Sequence, residues 1–102
     1  MHIELDKKDD TLRIVIDGNI DTDGGHKLAV ALREAMETDG IESVVFDLTT
    51  VRTVTSSGIG KIMNFFKYID GKKGRLSIKG ISDQLYKQFT EIHLDRIFPI
   101  SK

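Results

Sequence analysis

Three adjacent hydroxyl side chains, Thr55, Ser56 and Ser57, stand directly before a glycine in the stretch Thr53-Val54-Thr55-Ser56-Ser57-Gly58-Ile59-Gly60. A serine or threonine hydroxyl accepts a phosphoryl group when a kinase supplies the donor, and the start of a helix suits the product. The first backbone N–H groups of a helix lack intrahelical partners, and the helix dipole places partial positive charge beside them. A phosphate there carries about −1.5 to −2 charges at neutral pH. Such a loop takes up the group without large internal strain, while its outward surface changes from neutral to dianionic. A partner packed on that surface then meets a negative charge, which is a switch by local electrostatics. Ser and Thr are also the common helix N-caps, so capping alone accounts for the residue types.

Other chemistry fails on spacing. A serine-hydrolase elbow, G-x-S-x-G, needs glycine two residues before the serine, and position 55 is Thr. Gly58-x-Gly60 lacks the third glycine of a dinucleotide fingerprint, because position 63 is Met. There is no Walker lysine motif. His2, His26 and His93 share no metal-ligand spacing, and the absence of cysteine removes thiolate nucleophiles and Cys-based zinc sites. No catalytic residue, metal or cofactor is therefore expected.

The elements that must position the hydroxyl loop follow from periodicity. Ile3 and Leu5, then Leu12, Ile14 and Ile16, alternate with polar residues on either side of Lys7-Lys8-Asp9-Asp10, which reads as an antiparallel hairpin. Leu28, Leu32, Ala35 and Met36 share one face of a first helix from Thr22 to about Asp39, with Thr22 or Asp23 as N-cap and Gly40 at its end. Val44-Val45-Phe46-Asp47-Leu48 suits a strand covered on both faces. Beyond the polar loop, Ile59, Ile62, Met63, Phe66 and Ile69 mark a second helix, ended by Gly71. Leu76 and Ile78 lie in a fourth strand; Ser82 caps a third helix carrying Leu85, Phe89 and Ile92; Ile97-Phe98-Pro99-Ile100 reads as a short edge strand. The order β-β-α-β-α-β-α-β implies an α/β fold, a mixed β-sheet with parallel neighbours after the hairpin and helices packed against it. The loop then follows a buried strand and opens a helix, where α/β folds place their sites.

The whole is one domain's worth of chain, 102 residues, with 15 basic and 16 acidic side chains. That balance lacks the basic excess typical of nucleic-acid binding, and Lys72-Lys73-x-Arg75 reads as a solvated turn cluster. The longest apolar run, Leu28 to Leu32, is far short of a membrane span. A cytoplasmic location is the expectation.

Two motifs bring a family resemblance. Asp17-Gly18-Asn19-Ile20-Asp21 resembles the G-x-[LI]-D turn of STAS domains, and Phe46-Asp47-Leu48 with Ser56-Ser57-Gly58-Ile59-Gly60 resembles their D-L-S-x-V-x-x-[IV]-D-S-S-G-[LI]-G stretch. The likeness covers nearly the whole chain and implies a STAS-type fold with a short or absent terminal helix. Small bacterial members are anti-sigma-factor antagonists. The resemblance implies Ser57 as phosphoacceptor, with Ser56 and Thr55 as secondary candidates, and Asp21 beside the docking surface. It implies partner switching: the unmodified chain binds an anti-sigma factor, a GHKL-type serine kinase, phosphorylation releases it, and a PP2C-type phosphatase resets it. The kinase brings ATP and Mg²⁺. Thr55 replaces the family's usual Asp. Asn19, Gly58 and Lys61 complete the expected partner surface, and Phe65, which lies off the apolar stripe, is expected at its groove. The alternative within the fold is the small STAS subunit that grips the ATPase of a bacterial lipid-transport ABC complex.

Overall fold

A computed structural model describes the backbone of residues 1–20 and 22–102, and the side chains of all of these outside 22–24. The hairpin forms as expected: β1 (His2–Lys8) runs antiparallel to β2 (Thr11–Asp17), with His2 opposite Asp17 and Lys8 opposite Thr11. Lys7 and Lys8 extend the strand, so the turn shrinks to Asp9 and Asp10, with Asp9 left-handed at φ 56°. Aspartate tolerates that region better than most residues.

β2 pairs in parallel with β3 (Ser43–Asp47), and β3 with β4 (Arg75–Lys79), in the sheet order β1-β2-β3-β4. The helix α1 (Thr22–Glu37) links β2 to β3, and α2 (Ser56–Gly71) links β3 to β4. Successive right-handed crossovers that advance in one direction place their helices on the same face of a sheet, and α1 and α2 do pack on each other. The alternate residues Leu12, Ile14, Ile16, Val44, Phe46, Leu76 and Ile78 are buried beneath them. Among the described residues the expected double coverage of the third strand is not found. Val45 on its other face is only half-buried, among exposed Arg13, Arg75 and Lys79. Its apolar run reflects β-branched preference for a pleated surface, not a second layer of helices.

The first helix stops at Glu37, two residues before the expected end, and Gly40 turns the chain at φ 76°. Thr22 and Asp23, its candidate caps, have side chains outside the described residues. The third helix, α3 (Asp83–Glu91), is capped as expected: Ser82 Oγ accepts from Leu85 N at 3.1 Å. Leu85 and Phe89 are buried, but Ile92 is exposed, because the helix ends before it and His93 adopts φ 65°. A 3-10 turn, Leu94–Arg96, occupies the approach to the expected last strand. That strand reduces to one parallel bridge between Ile78 and Ile100, in which Ile78 N donates to Pro99 O and Ser101 N to Ile78 O, each at 2.9 Å. Proline offers no N–H to lengthen the ladder, and Phe98 turns inward onto Phe66, with ring centroids 5.2 Å apart. Among the described residues no helix is long and apolar enough to cross a membrane.

Candidate functional site

Two loops meet at the carboxyl ends of β2 and β3. Ile20 N donates to Thr53 O at 3.1 Å and Thr55 N to Ile20 O at 3.0 Å, a single parallel bridge beyond the sheet proper. Asn19 Oδ1 accepts from Arg52 N at 3.1 Å. Thr50 Oγ1 accepts from Gly18 N at 3.2 Å and lies 2.8 Å from Asp17 Oδ1. From behind, Gln88 Nε2 of α3 donates to Val54 O at 2.9 Å. Together these bonds hold both loops as one platform. Thr50 and Gln88 were absent from the sequence expectations. Each acts across more than thirty residues of chain, and no local spacing marks such a partner.

The second helix begins earlier than its apolar stripe suggests. Thr55 is the N-cap, in extended conformation at φ −72° and ψ 162°, and its Oγ1 accepts from Gly58 N at 3.1 Å. Threonine caps less well than aspartate, but it performs the same bond. Gly58 is buried, and a Cβ built there would lie 2.7 Å from Ile20 Cγ2 and 3.0 Å from Val54 Cγ1. The first turn of α2 can therefore seat against the paired loops only because position 58 has no side chain.

Capping and close approach thus fall to Thr55 and Gly58, and Ser57 serves neither. Its exposed side chain stands at the second helical position, where Lys61 Nζ donates to its Oγ at 2.7 Å. Ser56, also exposed, precedes it. The structure thus places Thr55, Ser56, Ser57, Gly58 and Lys61 along one helix start, with Asn19 on the adjoining loop. Asp21 lies outside the described residues.

Phe65 requires a correction. It is fully buried, not at a groove, and meets Phe46 edge-on with ring centroids 5.8 Å apart and planes at 86°. Phe66 is the half-buried one. The innermost stripe of α2 is Gly58, Ile62, Phe65 and Ile69, a helical repeat whose first member carries no hydrophobic signal. Counting apolar residues alone selects the neighbouring stripe.

Asp47 closes β3 and supports the platform from the sheet side. Its carboxylate accepts from Thr49 Oγ1 at 2.5 Å and from Thr49 N at 3.1 Å, and it pairs with Arg13. Gly80 makes room for this turn: a Cβ there would lie 2.6 Å from Thr49 Oγ1. The Thr49 hydroxyl is the largest influence holding the Asp47 pKa below the ordinary value; burial opposes it, and the Thr49 N–H and Arg13 add to it. A pKa lower in the folded than in the unfolded state stabilises the fold above the unfolded value, and that contribution is lost as pH falls through the folded one. Asp47→Asn is expected to cost about 1 kcal/mol at neutral pH. The gap from the natural chain should shrink below about pH 4, as read by urea unfolding at each pH. A gap independent of pH would contradict this role.

Fold and site define a small α/β domain organised around one helix-opening loop. The family model described as the STAS domain matches residues 2–102, and the chain belongs to that family. It is 31% identical over 99 residues to the anti-sigma-B factor antagonist of Listeria monocytogenes, covering 96% of this chain and 86% of that protein. Among solved structures, an anti-sigma-factor antagonist (STAS) domain protein from Planctomyces limnophilus superposes with a TM-score of 0.85 at 19% identity, covering 96% of this chain and 86% of the other. The Bacillus cell fate determinant SpoIIAA in its phosphorylated form superposes with a TM-score of 0.75 at 16% identity, covering 99% and 92%. These two likenesses establish the fold.

Proposed function

We propose that this chain is an anti-sigma-factor antagonist whose binding is controlled by phosphorylation of Ser57. The observation that carries the reading is the division of labour at the start of α2. Thr55 makes the cap and Gly58 the close approach, while the Ser57 hydroxyl stands exposed beside them. Ser57 is assigned as acceptor over Thr55 because Thr55 is half-buried and its oxygen holds the backbone cap bond from Gly58 N, whereas Ser57 is exposed and its oxygen meets only the Lys61 side chain. The names of the curated relatives support the general role.

In the proposed cycle the unmodified chain binds an anti-sigma factor with serine-kinase activity through the face formed by exposed Asn19, Ser56 and Ser57 and half-buried Lys61. Within that complex Ser57 Oγ attacks the γ-phosphorus of the kinase's ATP. The new bond forms from Oγ to phosphorus, the bond from phosphorus to the β,γ-bridging oxygen breaks, ADP leaves, and the hydroxyl proton passes to a base on the kinase. The chain contributes a positioned nucleophile and no cofactor of its own. The dianion, facing a surface that had accommodated a neutral hydroxyl, then raises the dissociation rate, and a phosphatase restores the starting state.

Affinity capture from native cells, with mass spectrometry of partner and bait, tests this reading. The expected result is a serine kinase of the anti-sigma type on unmodified bait, and phosphate on Ser57 in the unbound pool. Recovery of the ATPase of a lipid-transport complex, with no phosphate on the bait, would overturn it in favour of the transporter role.

A further inference from the structure

Lys61 lies one helical turn beyond Ser57 on α2, and the Nζ–Oγ contact of 2.7 Å joins them. The order is the favourable one for a helix, with the group that would become negative placed N-terminal to the cation at i,i+4. Lys61 is half-buried, and its stem lies in the seam between α1 and α2. A Cβ built on Gly25 of α1 would be 3.5 Å from Lys61 Nζ and 3.9 Å from its Cε, so the ammonium head rests over bare backbone. A groove of about 250 Å³, lined by Ala29, Leu32, Arg33, Met36 and Asn64, continues from it along the seam. Much of the freedom a lysine normally loses on pairing is therefore already given up.

We propose that Lys61 is a built-in counter-ion for phosphoserine at position 57, holding the group against the first turn of α2 and offsetting about half of its charge. The inference rests on Ser57 as the acceptor and deepens that reading. Lys61 is a positioning residue here; it takes no part in phosphoryl transfer. With the ammonium in place, the modified surface presents roughly one net negative charge instead of two, so the release step is graded by residue 61. Neighbouring elements carry His26 and Arg33 on α1 and Arg52 on the loop before α2, while Asp21 and the side chain of Asp23 lie outside the described residues. A comparison restricted to position 61 holds all of these constant.

The test places phosphoserine at position 57 by co-translational incorporation, so that no kinase is needed, and follows the second ionisation of the phosphate by ³¹P NMR. In the Lys61 protein that pKa is expected about 0.5 to 1 unit below its value in Lys61→Met. Lys61→Arg should restore most of the shift, and about 1 M salt should shrink it. A loss of packing alone would not move this titration, and Lys61→Gln serves as the second neutral variant if Lys61→Met fails to fold. Values agreeing within about 0.1 unit in all variants would overturn the inference. Failure of the acceptor assignment looks different: the titration shift would persist while the phosphoserine protein kept full affinity for the captured anti-sigma partner.

Discussion

Ser57→Asp is expected to weaken binding of the anti-sigma partner by at least about tenfold, a loss of about 1.4 kcal/mol, while Ser57→Ala binds like the natural chain. The two substitutions separate charge from shape. Both remove the hydroxyl and its contact with Lys61, and both leave the Thr55 cap and the Gly58 approach intact. Because the side chain is exposed, each should change folding stability by no more than about 0.5 kcal/mol. Aspartate brings one negative charge where phosphate brings nearly two, and Lys61 stands ready to pair with it, so tenfold is a lower bound on what phosphate does. Titration calorimetry against the captured partner checks the pair, and equal affinities for Ala and Asp would contradict an electrostatic switch at this position.

Phe65→Ala carries the largest expected effect on the fold itself, about 3–5 kcal/mol of lost stability. The ring is fully buried and meets Phe46 edge-on at the centre of the core between α2 and the sheet. Its loss combines the transfer free energy with a cavity that neighbouring side chains fill only in part, and the surrendered aromatic contact adds to it. A domain of this size stands only about 5–15 kcal/mol above its unfolded state. The melting temperature should therefore fall by more than about 12 °C. Phe66→Ala should cost less, because Phe66 is half-buried and packs on Phe98 near the end of the chain. Chemical unfolding of both variants tests the ordering; the reverse order would place the Phe66 stripe innermost.

The contrast between these two phenylalanines shows where sequence was legible and where it was not. The hairpin, the parallel strands and the capped third helix were readable because alternation, turn residues and cap residues agree locally. The start of α2 was legible in its chemistry, as a hydroxyl cluster before a glycine, but the work of each residue was not. That Thr55 caps and Ser57 stays free of structural duty depends on where the first turn begins, and this is set by Gly58 fitting against Ile20 and Val54. Those contacts come from distant parts of the chain. The same buried glycine starts the stripe through Phe65, so the choice of inner face was a tertiary decision that hydrophobic counting cannot reach. The expected last strand failed for a related reason. Inward burial of Phe98 and the missing proline donor outweighed its apolar pattern.

The central claim is that one phosphate on Ser57 decides whether the chain is bound. Calorimetric titration of the captured anti-sigma partner onto the unmodified protein, and onto the same protein carrying phosphoserine at 57, measures it directly. The expected result is tight association for the first and an affinity lower by at least about 100-fold for the second, about 2.8 kcal/mol. Equal affinity for the two forms would contradict it.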